Sequence, residues 1–301
     1  MSLEQKSHYV AVGGHTLHVR AIGPAVPVHG EPLLMVHGAI ENGRIFYTES
    51  GKGLACFLAR HGYQVYVADL RGRGASQPAI AEQAEHGQFE LITEDIPALH
   101  RWVRERHAGA NVHWLAHSWG GVLMASTLVR YPELATQVAS LLFFGTKRSV
   151  SVQGPERWFK VDLVWNRLAP WLARRQGFFA ARRYKVGADD EPLRYLEESI
   201  PWVKGEPWVD PYDGFAYDSA AAAVSWPPVW MIAARRDKVL GHPIDVQRFL
   251  DEMGAKGRFT LLAQANGNRL DYDHINMLTA PQAQEDHFPA IAEWLKAPPA
   301  R

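Results

Sequence analysis

A series of short, unbroken apolar runs, spaced far enough apart for a helix to lie between them, constrains the fold of this chain most. Leu33–Val36, Val65–Ala68, Val112–Ala116, Val138–Phe144 and Val229–Ala234 are rich in Val, Leu and aromatic residues and hardly alternate with polar ones. A strand with one wet face alternates, whereas a strand covered on both faces does not, so these runs read as buried parallel strands. Between them, Asp95–His107 sets Ile96, Leu99, Trp102 and Val103 at helical spacing, and Trp119–Tyr131 and Pro243–Met253 follow a similar period. The alternation predicts an α/β fold built on a mostly parallel, doubly wound sheet. Only the N-terminus differs: Tyr9–Val12, the turn Gly13-Gly14 and Thr16–Ala21 read as an antiparallel pair.

From about Lys147 to Trp226 this rhythm gives way to Trp-rich, Arg-rich, Pro-punctuated sequence without a convincing buried strand. The expected organisation is a core over 1–146 and 227–301, with a helical cap inserted over 147–226. The insertion holds Trp158, Trp165, Trp171, Trp202, Trp208 and Trp226, more than half of the chain's 11 tryptophans. They can pack the cap onto the core or wall an apolar pocket. Trp158, Trp165 and Trp171, which begin the insertion, are the pocket candidates.

Ser118 follows the run Val112–His117 directly and precedes a helical pattern that opens with Trp119-Gly120-Gly121. A nucleophile elbow needs that strand-to-helix turn, with small residues two positions away on either side so that strand and helix can approach closely. Ala116 and Gly120 occupy those positions. Ala116 departs from the usual glycine, but alanine is the next smallest residue.

A serine hydroxyl needs a general base, itself oriented by a carboxylate. In this kind of fold the acid follows the next core strand and the base comes later. Val229–Ala234 runs into Arg235-Arg236-Asp237, and a further strand expected at Arg258–Ala263 leads to Asp271-Tyr272-Asp273-His274. Asp237 and His274 are therefore the expected acid and base. Asp245 competes for the acid but lies inside a helical pattern, where a carboxylate commonly serves the helix dipole. His242 and His287 stand in the wrong order. Acyl transfer also requires two backbone N–H donors for the oxyanion, assigned to Trp119 and to Ala39 in the loop His37-Gly38-Ala39. Gly38 permits close backbone approach, while His37 and His117 read as scaffold. No H-E-x-x-H, paired-cysteine or Walker pattern occurs, so the reading implies no metal and no cofactor.

Together these residues resemble the α/β-hydrolase superfamily over nearly the whole chain apart from the cap, and within it the acid-lipase branch. The likeness rests on HGAIENGRIFY, GYQVYVADLRGRGAS, EDIPALHRWV before HWLAHSWGG, PPVWMIAARRDKVLGHPIDV and DYDHINML. It implies the triad, the oxyanion hole and ester hydrolysis at the matching positions. Ala116, the absent secretion signal and the lack of paired cysteines depart from secreted members of that branch and argue against a secreted triglyceride lipase.

Lys plus Arg equals Asp plus Glu at 32 each, so no whole-chain field draws in nucleic acid or an anionic membrane. Cys56 is the single cysteine and reads as part of a buried helix face. The N-terminal residues lack a basic segment followed by an apolar run, and no stretch nears the roughly 20 apolar residues of a membrane span. A soluble, cytoplasmic enzyme acting on a small-molecule ester is expected, its oligomeric state left open. The alternatives are an aminopeptidase or amidase using Glu197 and Glu198 to hold an ammonium, a C–C bond hydrolase of the same fold, and a hydrolase-shaped binding protein without turnover.

Overall fold

Every residue of Leu33–Val36 (β3), Val65–Ala68 (β4) and Val112–His117 (β5) is buried, as unbroken apolar runs require. The computed structural model describes residues 3–26 and 30–299. The other strands are Leu3–Val12 (β1), His15–Pro24 (β2), Val138–Phe144 (β6), Phe178–Phe179 (β7), Glu191–Pro192 (β8), Val229–Ala234 (β9) and Gly257–Leu262 (β10). Eight of them form one sheet in the order β1-β2-β4-β3-β5-β6-β9-β10. β1 and β2 run antiparallel at one edge and the rest run parallel. The N-terminal hairpin is longer at both ends than its apolar pattern suggests. β1 is an edge strand in which Val10 alone is fully buried, so polar Glu4, Gln5 and Lys6 extend the ladder without disturbing a core.

The period of two in each strand divides its side chains between two cores. In β5, Trp114 and Ala116 join Ile96, Leu99 and Val103 of the helix Ile96–Arg106 and Val122 of the helix Trp119–Arg130. Leu115 faces the other way, toward Leu58 of the helix Leu54–Arg60 and Ile291 of the helix Phe288–Lys296. Cys56 is buried on that second face.

Between β6 and β9 the chain adds no strand to this sheet. It is helical over 155–176, with a wide-turned stretch at Trp158–Leu168, then forms the β7–β8 pair and the helix Leu193–Val203. Trp202 and Trp208 are fully buried among Tyr217 and Phe249, in the same core as β5 and the helix Pro243–Met253. These two tryptophans therefore pack the segment onto the sheet.

Because the inner strands are parallel and in register, they end along one edge. Val36 pairs with Ala68 and Ala116, His117 with Phe144, and Phe144 with Ile232. The loops carrying His37–Ala39, Ser118, Gly145–Lys147 and Asp237 leave from that edge, where ligands bind in open α/β sheets. Among the described residues no helix is long and apolar enough to cross a membrane.

Trp202→Ala should cost roughly 3–5 kcal/mol, since the surrounding rings cannot close the void. Urea unfolding monitored by circular dichroism will report it as a lower midpoint.

Candidate active site

Ser118 links β5 to the helix Trp119–Arg130 with φ 51° and ψ −125°, a conformation that costs a non-glycine residue about 1–3 kcal/mol. The surrounding backbone holds it there. Its N–H donates to Phe144 O at 2.8 Å, and its carbonyl accepts from Thr146 Oγ1 at 2.9 Å and Gly121 N at 3.2 Å. A side chain at Gly120 would run into the carbonyl oxygens of Val36 and His37, so the helix can start here only with glycine at that position. Ala116 is fully buried in β5 between Val36 and Phe143, and its methyl fits.

His274 Nδ1 lies 2.5 Å from Asp237 Oδ2. An ionised carboxylate only accepts, so Nδ1 donates, and in the neutral ring the lone pair falls on Nε2. Burial alone pushes the Asp237 carboxyl up; the His274 ring and the N–H groups of Gly241 and Val239 outweigh it and hold the group at about 2. Ser118 and His274 both line a cavity of about 640 Å³, together with Ala39 and Trp119. Trp119 N–H belongs to the first turn of its helix, which has no intrahelical acceptor. Ala39 N–H makes no hydrogen bond among the described residues.

The Ala39 loop is clamped from two sides. His37 Nδ1 donates to Gly38 O at 2.8 Å and its Nε2 accepts from Leu70 N at 3.2 Å. Ile40 stands at φ 51°, an outlier for a β-branched residue, and the segment before β8 fixes it. Its N–H donates to Glu191 Oε1 at 2.6 Å, and its carbonyl accepts from Ala188 N and Asp189 N at 2.8 and 3.1 Å. Glu191 is also ion-paired with buried Arg73. Sequence reasoning missed Glu191, because nothing local marks a carboxylate whose partners lie more than a hundred residues away.

It also missed Glu41, although HGAIEN contains it. Glu41 Oε2 accepts from Gly38 N at 2.9 Å and from His117 Nδ1 at 2.8 Å, while His117 Nε2 lies 2.8 Å from the carbonyl oxygen of His274. Both acceptors lack protons, so both ring nitrogens of His117 donate and the ring is an imidazolium. Burial opposes that charge, but Glu41 and the two hydrogen bonds raise the ring above its ordinary value. Burial likewise opposes ionised Glu41, yet the neighbouring His117 holds it at about 2. Glu41, His117 and His274 offer ligand atoms within 4.8 Å of one another, but His117 has no lone pair left for a metal ion.

Several sequence candidates take other places. Asp245 accepts from Ser151 N and Oγ and from Arg248, fastening the start of the 147–226 segment rather than serving only a helix dipole. His242 caps the helix Pro243–Met253, and His287 contacts Met277 O. Beside His274, the loop carboxylates Asp271 and Asp273 are likewise engaged, accepting backbone N–H groups of Gln264, Ile275 and Asn276. Glu197 pairs at the surface with Arg174, while Glu198 is buried and accepts from Phe89 N and Arg194, so neither offers the cavity an ammonium site. Of the three pocket tryptophans, Trp165 lines the cavity. Trp158 and Trp171 do not: they are 58% and 46% exposed, because the helical face that carries them turns to solvent.

A family model described as alpha/beta hydrolase fold matches residues 31–191. A Haemophilus influenzae protein named "Probable lysophospholipase L2" is 28% identical over 114 residues, which is 38% of this chain and 35% of that protein. The matched stretch thus spans about a third of that curated relative. A soluble variant of monoglyceride lipase from Saccharomyces cerevisiae superposes with a TM-score of 0.68 at 15% identity, covering 98% of this chain and 96% of that one. An esterase from Exiguobacterium antarcticum gives 0.63 at 17% identity, covering 97% and 100%. At these identities the two structures share the fold.

The Glu41–His117 pair has a defined pH window. Glu41 is lowered from 4.5 on folding, so its contribution is complete above about 4.5 and lost as pH falls through about 2. His117 is raised from 6.5, so its contribution is complete below 6.5 and lost as pH rises through its folded value. Glu41→Gln should therefore destabilise most between these limits, by roughly 3–5 kcal/mol as for a broken buried pair. Urea midpoints at pH 5.5 and 9 will measure the difference. In wild type at pH 6, nitrogen NMR should find both His117 ring nitrogens protonated; a neutral ring would refute the assignment.

Proposed function

We propose that this chain, which belongs to the alpha/beta hydrolase family, is a carboxylic-ester hydrolase that works through an acyl-enzyme on Ser118. The observation that carries the reading is the 2.5 Å bond from His274 Nδ1 to Asp237, at the cavity where Ser118 sits on its strained turn. His274 Nε2 takes the proton as Ser118 Oγ attacks the ester carbonyl, and Asp237 stabilises the imidazolium that forms. The N–H groups of Ala39 and Trp119 receive the developing oxyanion. His274 then protonates the departing alcohol, activates a water and restores the serine.

The walls support a lipid-like or aryl acyl group. Ile45, Val161, Trp165, Val186 and Leu240 line the cavity, whose volume suits a small molecule. The similar proteins, one named a probable lysophospholipase, one a monoglyceride lipase and one an esterase, all support ester substrates. Residues 147–226 act in this reading as a cap, with Val161 and Trp165 forming part of the acyl wall.

Ser118→Ala and His274→Ala should each lower kcat on p-nitrophenyl esters by about 10⁴-fold or more, and Asp237→Asn should be similarly severe, all without unfolding the protein. A fluorophosphonate should label wild type stoichiometrically and leave Ser118→Ala unlabelled. Undiminished turnover by Ser118→Ala would sink the mechanism, and an unlabelled, inactive wild type would leave the binding-protein reading.

Kcat/KM should rise with acyl length until the pocket fills, each CH₂ adding up to about 0.8 kcal/mol. Trp165→Leu should move the optimum, and a flat wild-type profile would refute the acyl wall.

A further inference from the structure

Four cations line the cavity, Arg44, Lys147, Lys160 and Lys185, against one acid, Glu41, which His117 and Gly38 already occupy. Two of the four are neutralised: Arg44 pairs with Glu49 and Lys160 with Glu156, each at 2.7 Å. Lys185 is exposed at the rim. Lys147 differs from all three. It is only 8% exposed, yet among the described residues its ammonium has neither hydrogen bond nor ion pair, and it lies beside the Trp119 ring, with Nζ 5.5 Å from the centroid.

Its place in the chain puts it at the site. β6 ends at Phe144, Gly145 lies against the His274 ring, Thr146 donates to Ser118 O, and Lys147 is next. Nearby carboxylates are engaged elsewhere, Asp237 by His274 and Asp245 by Ser151 and Arg248. The side chain is otherwise buried while Nζ keeps access to the cavity, and holding an unpaired ammonium at a largely apolar wall is costly where methionine or leucine would fill the space. Burial lowers this lysine to about 8, with Asp237 and Asp245 resisting, so it still carries its charge at neutral pH.

We propose that the cavity takes an ester that also bears a carboxylate, and that Lys147 receives that carboxylate beside the reacting carbonyl. This rests on the ester-hydrolase reading. One unpartnered ammonium facing the cavity balances one negative charge, whereas a phosphate dianion would bring a second charge against apolar walls. A half-ester of a dicarboxylic acid meets both demands, with an apolar chain between its two ends.

The test uses Ser118→Ala, which binds without turning over, and two ligands that differ by one charge: monomethyl glutarate and dimethyl glutarate. Calorimetry should find the monoester bound at least tenfold more tightly. Adding Lys147→Met should bring the ratio near one, and adding Lys147→Arg should keep much of it. Equal affinities in the Ser118→Ala protein would overturn the proposal, whatever the fate of the Lys147 variants. So would a ratio that survives Lys147→Met but falls with Lys185→Met, which would move the anion to the rim. Monomethyl phosphate bound more tightly than monomethyl glutarate would overturn the choice of carboxylate. Wild type that cleaves neither p-nitrophenyl butyrate nor the p-nitrophenyl half-ester of glutaric acid would refute the ester-hydrolase reading alone, because the affinity ratio is read without turnover.

Discussion

The backbone of Ser118 is the constraint on which the rest of the edge depends. A non-glycine residue at φ 51° between a buried strand and a buried helix is stable only if its neighbours leave it no alternative. β6 supplies that restraint through Phe144 O, and the turn after β6 supplies more through Thr146 Oγ1. The glycine at 120 lets the helix start against the carbonyls of Val36 and His37, which brings the Ala39 loop alongside the serine. Strand order, loop length and residue size thus serve one strained turn, and burial in two cores stabilises the whole by far more than the strain costs.

Around that turn stand two carboxylate–histidine pairs with opposite assignments. In Asp237–His274 the carboxylate engages one ring nitrogen, Nδ1, and leaves Nε2 without a partner among the described residues. In Glu41–His117 both ring nitrogens donate to acceptors that cannot give a proton back, so that ring is locked as a cation. The locked pair touches three loops at once: Gly38 N beside Ala39, His117 beside Ser118, and the carbonyl of His274. It therefore ties the distance between them without engaging Nε2 of His274.

What the sequence made legible is what repeats or is local. Five inner strands were readable within a residue because burial on both faces leaves an uninterrupted apolar run, and the edge strand β10 because it follows a turn and a helix. Order along the chain led to the bond between Asp237 and His274 and to the cavity that Ser118 and His274 share. Contacts between distant segments had no such signal. Glu41 resembles any loop acid, Glu191 any acid in a polar stretch, and Lys147 any lysine after a strand until its lack of a partner is visible. The tryptophans of 147–226 were undecidable for a related reason. Helical spacing sets which of them share a face, but tertiary packing sets which face turns inward, so Trp202 and Trp208 entered the core, Trp165 the cavity, and Trp158 and Trp171 the surface.

Glu191, Ala188 and Asp189 tie residues 147–226 to the loop that carries Ala39. They hold Ile40 in its left-handed conformation one residue beyond Ala39, and buried Arg73 holds Glu191 in turn. Released from those bonds, a β-branched residue at φ 51° would relax toward negative φ, and the N–H of Ala39 would swing with the peptide chain. The same segment anchors Trp202 and Trp208 in the core of the sheet and lends Val161 and Trp165 to the cavity. A segment bound at all three places cannot open as a rigid lid without uncovering core and loosening the loop that carries Ala39.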